Sequence, residues 1–325
     1  MMGKILVTGA GGFIGSHLVE LLVAAGLDVK AFIHYNARNN WGWLESLEIK
    51  NQIEVVSGDI RDYDSVYSAL HDCESVFHLA ALIGIPYSYV SPRAYIDTNI
   101  NGTYNILQAA KERSLNQIVL TSTSETYGTA QYVPIDEKHP IVGQSPYSAS
   151  KISADQLAIS YFRSFNLPIK IVRPFNTYGP RQSARAIIPS VISQILTSSH
   201  IVKIGSLTPT RDLTFVKDTC SAFYEVFKSD KLIGEVINIG MGTEISISDL
   251  VRMILNIFNQ QLEIVSTEER IRPANSEVER LVCNNEKLLA FTNWKANYDL
   301  RRGLQETINW MEANTNFYKG TLYNI

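Results

Sequence analysis

The stretch KILVTGAGGFIGSHLVELLVAAG, residues 4–26, predicts how the chain begins to fold. Residues 4–8 are a short apolar run typical of a buried strand, and the apolar positions after Gly15 recur near helical spacing. Between them Gly9, Gly12 and Gly15 stand three apart, a spacing that differs from the G-x-G-x-x-G of many dinucleotide-binding turns. The physical demand is the same, because a tight turn brings the backbone and the start of a helix up to a pyrophosphate. The stretch therefore predicts a strand, a phosphate-binding turn and a helix.

Short β-branched runs continue to alternate with helical patterns as far as residue 175. The runs that predict strands are KILVT (4–8), VKAFI (29–33), IEVV (53–56), SVFHLA (75–80), QIVLTS (117–122) and IKIVRP (169–174). Strand–helix repetition of this kind is typical of a parallel sheet covered on both faces. Because parallel crossovers are nearly always right-handed, we expect an α/β fold with a doubly wound, Rossmann-like sheet.

The pattern changes after Pro174, where the sequence becomes rich in loops. One further strand is expected at 235–240 and a helix near 247–258. This region is too short and irregular to repeat the first, so we expect a smaller C-terminal substrate-binding lobe. The predicted domains are residues 1–175, with a returning segment near 212–240, for the dinucleotide, and residues 176–211 with 241–325 for the lobe.

Composition and charge argue against several classes of partner. With 45% hydrophobic and 19% charged residues, the 325-residue chain is typical of a globular protein with a large core. A net charge of -3 gives no electrostatic reason to expect nucleic acid or a membrane surface as a partner. The three cysteines are scattered and the six histidines show no metal-binding spacing. We therefore expect no disulfide framework, no metal and a cytoplasmic location.

Residues after the other early strands are predicted to complete the dinucleotide site. The second strand ends at Asn36 without the acid that often holds a ribose hydroxyl. Arg38 follows, either as a ligand of a 2′-phosphate or as a solvated loop arginine, so NAD and NADP both stay open as the cofactor. Asp59 is expected near the adenine amine or as a turn residue. The other predicted cofactor contacts are Phe13 and Ile14 in the glycine turn, Ile60 after the third strand, and Leu79, Ala80 and Ala81 after the fourth.

A helix is predicted to begin at Ser145-Pro146, with the serine as its cap and the proline in its first position. Tyr147 and Lys151 are then four apart and share a helical face. A lysine cation close to the phenol, together with a positively charged nicotinamide ring, would lower the tyrosine pKa towards that of a usable base. The pattern Y-x-x-x-K is common on helix surfaces, and it gains weight here from the glycine turn.

These motifs together resemble the extended short-chain dehydrogenase/reductase family. The resemblance rests on the glycine turn, the strand that ends at Ser122-Thr123, the pair Tyr147 and Lys151, and the segments NTYGPR (176–181) and Arg211-Asp212. By that resemblance the substrate is a nucleotide-linked sugar. Thr123 and Tyr147 would then hold its 4-hydroxyl while hydride leaves C4 for the nicotinamide.

Within this family the residues after the threonine distinguish the reactions. Sugar-nucleotide 4,6-dehydratases carry Thr-Asp-Glu or Thr-Ser-Glu, and this chain has Thr123-Ser124-Glu125. The resemblance implies that Glu125 removes the C5 proton, water leaves from C6, and the hydride returns to C6. Serine is a poor proton donor where many dehydratases have aspartate. Either Ser124 relays the proton to the leaving hydroxyl or protonated Glu125 delivers it.

Other activities remain open at this point. UDP-glucuronate decarboxylases resemble the same Thr-Ser-Glu pattern, and 4-epimerases use the same scaffold. A dinucleotide sensor without chemistry is the third alternative, although such sensors usually lack an intact Tyr/Lys pair. The 4,6-dehydratase is the leading hypothesis.

The loop segments suggest the substrate. SPYSASKISADQ (145–156), RPFNTYGPRQSARAIIP (173–189) and GSLTPTRDLTFVKD (205–218) look most like dehydratases of legionaminic-type sugar pathways, which implies a nucleotide-linked N-acetylglucosamine. Arginines suit pyrophosphate oxygens. The candidate substrate contacts are Tyr87, Asn176, Arg185, Arg211 and Arg272.

Two helices are predicted to form a homodimer interface. The helix after Tyr147 carries more apolar side chains than one sheet face needs, namely Ile152, Leu157, Tyr161, Phe162 and Phe165. The helix near residues 99–113 is expected to pair with it across a two-fold axis, which gives a four-helix interface.

Overall fold

The computed structural model describes residues 3–197 and 200–320. The remaining residues of the expected domains, 1–2, 198–199 and 321–325, lie outside the described residues. The strands are β1 Lys4–Thr8, β2 Val29–His34, β3 Glu54–Gly58, β4 Cys73–His78, β5 Gln117–Thr121, β6 Ile169–Pro174, β7 Asn176–Tyr178, β8 Ile201–Ile204, β9 Thr210–Arg211, β10 Leu213–Phe215, β11 Val236–Ile239, β12 Ile245–Ser246, β13 Glu263–Ser266 and β14 Arg280–Leu281. The α-helices are α1 Phe13–Ala24, α2 Tyr63–Ala69, α3 Ile85–Val90, α4 Pro92–Tyr95, α5 Gly102–Glu112, α6 Pro146–Phe165, α7 Ile187–Thr197, α8 Val216–Lys228, α9 Ile247–Ile257, α10 Glu286–Phe291 and α11 Leu300–Ala313.

Seven strands form one parallel sheet in the order β11-β6-β5-β4-β1-β2-β3. The chain winds outward from β1 to β3 and then returns to the other side of β1 with β4. The order therefore reverses between β1 and β4, and open α/β sheets bind ligands in the crevice at such a point. The doubly wound, Rossmann-like fold expected from the sequence is confirmed.

The apolar runs form strands because both faces of the sheet are covered. Ile5, Leu6 and Val7 are each at most 1% exposed. Ile5 and Val7 pack into the same core cluster as α1 and α8, whereas Leu6 packs with α5 and α6 on the other face. Alternate residues of a strand point to opposite faces, so a run without polar interruptions suits a strand that lies between two helical layers.

Strand ends differ from the sequence prediction where side chains take over the backbone hydrogen bonds. The fourth strand was expected to reach residue 80 but ends at His78. The backbone N–H groups of Leu79 and Ala80 both donate to the Thr8 hydroxyl, each at 3.1 Å. The helix expected near residues 99–113 is also different, because a π-helical turn, Ile96–Asn101, precedes α5.

The later part of the chain adds small sheets. β7 pairs with β10, β8 pairs with β13, and β9 lies between β12 and β14. The strand expected at 235–240 is β11, which joins the edge of the main sheet. The domain boundaries expected at residues 175, 211 and 240 stay predictions. Over the ranges that the structure describes, no helix is both long enough and apolar enough to cross a membrane.

His17 joins α1 to the loop after β7. Its Nε2 donates to the carbonyl of Pro180 at 3.1 Å, and the side chain is 7% exposed. Burial lowers the pKa of His17 to about 3, and the positive charge of Arg181 acts in the same direction. The nearby Glu20 carboxylate lies 2.6 Å from Arg181 Nη1, so the guanidinium neutralises the negative charge of Glu20.

We predict that this histidine makes the fold sensitive to mild acid. Between the unfolded pKa of about 6.5 and the folded value, the unfolded chain binds a proton that the folded chain does not. The free energy of unfolding should therefore fall by about 1.4 kcal/mol per pH unit on account of His17 as the pH is lowered through this range. His17→Gln should remove that contribution. Denaturant unfolding of both proteins between about pH 6 and pH 4 measures it, and parallel stability curves would contradict the assignment.

Candidate functional site

The glycine turn lies against the end of β4. Gly9 has a φ of +68°, which favours glycine, and a Cβ there would lie 2.9 Å from the backbone nitrogen of Ala80. A Cβ on Gly15 would overlap the carbonyl of Gly9. α1 begins directly after Gly12, and no side chain caps its first turn. The close packing and the open helix start fit a bound phosphate, whose negative charge favours that end of a helix.

A cavity of about 1430 Å³ opens from this turn and runs along the carboxyl ends of the strands. It brings together most of the predicted site residues, although they come from many separate elements. The predicted residues that line it are Gly9, Gly12, Phe13, Ile14, Gly15, Asn36, Asp59, Ile60, Leu79, Ala80, Ala81, Thr123, Ser124, Glu125, Tyr147, Lys151, Asn176, Arg185, Arg211 and Arg272.

Two predicted contacts are not among the residues that line the cavity. Arg38 is exposed, and Tyr87 is 38% exposed beside Tyr95, with ring centroids 6.3 Å apart. The Asn36 side chain explains the position of the loop that carries Arg38. Its Oδ1 accepts from the N–H groups of Arg38 and Asn40, at 3.2 and 3.1 Å, so this amide closes the loop. The suggested contact between Arg38 and a 2′-phosphate stays a prediction.

Asp59 is already engaged by an arginine. Arg61 Nε donates to both carboxylate oxygens at 2.9 and 3.1 Å, and Nη2 donates to Oδ2 at 2.5 Å. These hydrogen bonds hold the pKa of Asp59 below its usual value. Arg61 also lines the cavity. The cavity lining near Asp59 therefore contains a neutralised pair, and sequence reasoning had identified one of its two members.

The start of α6 is fixed as the sequence predicts. Ser145 Oγ accepts from the N–H of Ser148 at 3.1 Å, and Ser148 Oγ accepts from the N–H of Ser145 at 2.9 Å. Pro146 occupies the first turn, where no N–H is needed. This reciprocal capping box sets where the helix begins and thus where Tyr147 is held.

Tyr147 meets the end of β5 inside the cavity. Tyr147 is 7% exposed, and burial raises the pKa of its phenol. The Thr123 hydroxyl is close enough to lower this pKa, whereas the negative charge of the Glu125 carboxylate is close enough to raise it further. The expected lowering of the tyrosine pKa is therefore not produced by the protein groups alone, because the loss of water around the phenol is the largest influence.

Lys151 lies one helical turn after Tyr147. Its Nζ donates to the carbonyl of Thr121 at 2.7 Å. Burial lowers the pKa of this lysine to about 8, and the negative charge of Asp155 opposes the effect. The ammonium group is thus hydrogen-bonded to the last residue of β5. It loses its proton at a pH closer to neutral than an ordinary lysine does.

Arginines occupy the other end of the cavity. Arg211 Nη2 and Arg272 Nη1 both approach Glu277 Oε1, at 3.1 and 3.4 Å. Burial lowers the pKa of Arg211, and the negative charge of Glu125 is the largest influence in the opposite direction. The Oδ1 of Asn176 is buried there without a hydrogen-bond partner among the described residues. Two guanidinium groups that share one carboxylate leave positive charge suited to a diphosphate.

Sequence reasoning missed two segments that line the cavity. The first is Trp41-Gly42-Trp43, where the N–H of Trp43 donates to the carbonyl of Gly11 at 3.0 Å. The second is residues 317–319 near the end of the chain, and the rings of Trp43 and Phe317 lie 4.9 Å apart. The two tryptophans after β2 were an available signal. The C-terminal segment offered none, because its contact with Trp43 joins distant parts of the sequence.

Known proteins with the same architecture span three activities. Residues 6–307 match the protein family described as GDP-mannose 4,6 dehydratase. A dTDP-glucose 4,6-dehydratase of Streptomyces antibioticus is 30% identical over 315 residues, which cover 96% of this chain and 93% of that protein. A UDP-N-acetyl-alpha-D-glucosaminuronate decarboxylase of Bacillus cytotoxicus is 30% identical over 321 residues, which cover 95% of this chain and 98% of that protein.

A solved structure is similarly close. The UDP-glucuronic acid 4-epimerase of Bacillus cereus, in complex with UDP-glucuronic acid and NAD, superposes with a TM-score of 0.88 at 30% identity. The match covers 96% of this chain and 99% of that one. Because the family match and these relatives extend over nearly the whole length, the chain belongs to the GDP-mannose 4,6-dehydratase family, among the nucleotide-sugar enzymes of the extended short-chain dehydrogenase/reductase group.

Proposed function

We propose that the protein is a 4,6-dehydratase that converts a nucleotide-linked hexose, N-acetylglucosamine in the leading hypothesis, to its 4-keto-6-deoxy derivative. The observation that carries the proposal is the position of a second base beside Tyr147. Glu125 follows Thr123 at the end of β5 and acts on the charges of both Tyr147 and Arg211. Loss of water from a sugar needs a base for C5 in addition to the base for the 4-hydroxyl. Glu125 and Tyr147 supply these two bases.

The chain's own groups divide the work. Thr123 and Tyr147 bind the 4-hydroxyl, and Tyr147 takes its proton while the Lys151 cation stabilises the phenolate that transfers it. Glu125 removes the C5 proton, and Ser124 or protonated Glu125 delivers a proton to the hydroxyl that leaves C6. Burial at 2% exposure for Ser124 and 7% for Tyr147 limits water at these atoms.

The glycine turn and α1 hold a dinucleotide cofactor in this proposal. NAD is supported by the complex of the Bacillus cereus relative, and NADP is the alternative. A dinucleotide held there would supply reversible hydride transfer at the sugar, and its positive nicotinamide ring would add to the charge of Lys151. Asp59, Ile60 and the residues 79–81 are proposed to contact it, and the residues proposed to hold the diphosphate of the sugar nucleotide are Asn176, Arg185, Arg211 and Arg272.

A decarboxylase is the second candidate, and one observation favours it. Arg185 Nη1 lies 4.0 Å from the position a Cβ would take on Gly84, and its positive charge reaches the phenol of Tyr95. The Tyr95 ring in turn packs on Tyr147, with centroids 6.2 Å apart. From that position a guanidinium can bind a sugar carboxylate as well as a phosphate.

An isotope experiment tests the proposal. Nucleotide sugars labelled with deuterium at C4 are incubated with the protein, and the product is analysed by mass and NMR. If the protein is a dehydratase, the product should have lost one water and should carry the deuterium at C6. Product that has lost carbon dioxide, or that keeps its mass and the label at C4, would replace the proposal with a decarboxylase or an epimerase.

Two substitutions should interrupt the reaction at different steps. Tyr147→Phe removes the base for the 4-hydroxyl and should lower the rate by about 10² to 10⁴-fold, without any change of absorbance on adding substrate. Glu125→Gln leaves that base in place but removes the base for C5. The near-ultraviolet absorbance of the bound dinucleotide should therefore rise while loss of water is blocked. If the two variants behave alike in absorbance, Glu125 does not act after Tyr147.

The homodimer is proposed from the faces of α5 and α6. Phe165 is 52% and Tyr104 is 45% exposed, whereas Tyr161 is buried and donates to Gln108 at 2.9 Å. The exposed rings, rather than Tyr161, are thus the apolar groups that a second copy would cover. We expect a dimeric mass in light scattering at micromolar concentration and a shift towards monomer for Phe165→Glu. A monomeric mass for the unaltered chain would contradict this.

A further inference from the structure

Two charged side chains of α6 grip the end of β5. Lys151 Nζ donates to the Thr121 carbonyl, and one turn later Asp155 Oδ2 accepts from Ser122 Oγ at 2.8 Å. Tyr147, Lys151 and Asp155 are spaced by four residues, so they lie along one face of the helix. The hydroxyl of Ser122 is therefore bonded to the helix. The residues that follow it are the ones proposed to contact the sugar.

Asp155 is buried together with a cation from β6. Arg173 Nη2 and Nε donate to Asp155 Oδ2 at 2.8 and 3.1 Å, and the two side chains are 1% and 0% exposed. The guanidinium also lies over the ring of Tyr127, 4.9 Å from its centroid. Asp155 Oδ1 is buried and has no hydrogen-bond partner among the described residues. One oxygen thus carries every contact of this carboxylate that joins α6, β5 and β6.

We propose that Asp155 is a positioning residue for the reaction, whose carboxylate fixes α6 on the end of β5 and whose negative charge keeps Lys151 protonated beside Tyr147. The inference rests on the proposed function only for the role of the protonated lysine. The attachment of helix to strand is the same whichever sugar reaction Tyr147 serves.

The charges around Lys151 determine the expected effect. Asp155 on its own helix favours the ammonium form, and burial opposes it. His78 of β4 is the other titratable group that Lys151 acts on, and burial lowers the pKa of this histidine to about 3, so it is neutral near pH 7. Asp155 itself faces Arg173 from β6 and acts on Tyr147 from the same helix. Removal of the carboxylate charge therefore lowers the pKa of Lys151 further.

Asp155→Asn tests this, because it keeps the shape of the side chain and removes its charge. The readout is the pH dependence of kcat/KM for the unaltered protein's own reaction. We expect its alkaline limb, where Lys151 loses its proton, to move to lower pH by about one unit or more. Ser122→Ala is the matched control, since it breaks the hydrogen bond to Asp155 and keeps both charges. Its alkaline limb should stay in place.

A second variant covers the risk that an unpaired Arg173 prevents folding. Asp155→Asn combined with Arg173→Gln removes both charges of the buried pair and should move the alkaline limb in the same direction, by less than the single variant because a positive charge is lost as well. A folded variant without the Asp155 charge whose alkaline limb matches the unaltered protein overturns the proposal. An equal shift in Ser122→Ala overturns it as well, because the hydrogen bond rather than the charge would then be responsible.

These outcomes are separate from the fate of the proposed function. If the unaltered protein releases carbon dioxide or changes only the C4 configuration, the dehydratase proposal fails. The pH comparison is then made on that product, because Tyr147 and Lys151 serve the same proton transfer. The Asp155 proposal is decided only by comparing the position of the alkaline limb between the variants and the unaltered protein, whichever product is formed.

Discussion

The candidate site depends on the buried ion pair between Asp155 of α6 and Arg173 of β6. Neither side chain reaches solvent, and their contact joins α6, the helix that carries Tyr147, to β6. Such a pair is a weak source of net stability, because desolvation of two charges offsets most of their attraction. Its loss on one side is costly, since a single charge would remain buried. The pair therefore constrains the arrangement of elements more than it stabilises the fold.

Charged groups influence one another around Tyr147. The charge of Asp155 acts on Lys151 and Tyr147, and the charge of Glu125 acts on Tyr147 and Arg211. Because burial raises the pKa of the phenol, the protein must offset this with positive charge at the reacting end. Lys151 supplies one such charge, and the binding of a dinucleotide with a positive ring supplies another in the proposed function. In the proposed function Tyr147 therefore becomes an effective base only when the cofactor is bound.

Periodicity was sufficient to predict the strands of the main sheet but not where each strand ends. The strands at 4–8 and 169–174 have the predicted bounds, because each β-branched run is bounded by glycine or proline. The fourth strand ends early because Thr8, a distant residue in sequence, takes its next two N–H groups. Phe317 could not be found for the same reason, since its contact with Trp43 depends on tertiary packing. Ser122 was named only as part of the strand end on which the family resemblance rests, and its hydrogen bond to Asp155 joins residues that are distant in the sequence.

One scaffold can support dehydration, decarboxylation and epimerisation because the elements that differ are separate from the elements they share. Thr123, Tyr147 and Lys151 are set by β5 and the start of α6, and each of these activities needs a base at the 4-hydroxyl. Glu125 lies in the short 3₁₀ turn after β5, and Arg185 lies in the loop before α7. Both are near the reacting end, yet neither takes part in the attachment of α6 to β5. In the proposed function, substitution at either position can therefore change what happens at C5 and C6 while the geometry at C4 is kept, and the relatives with three different activities are consistent with that division.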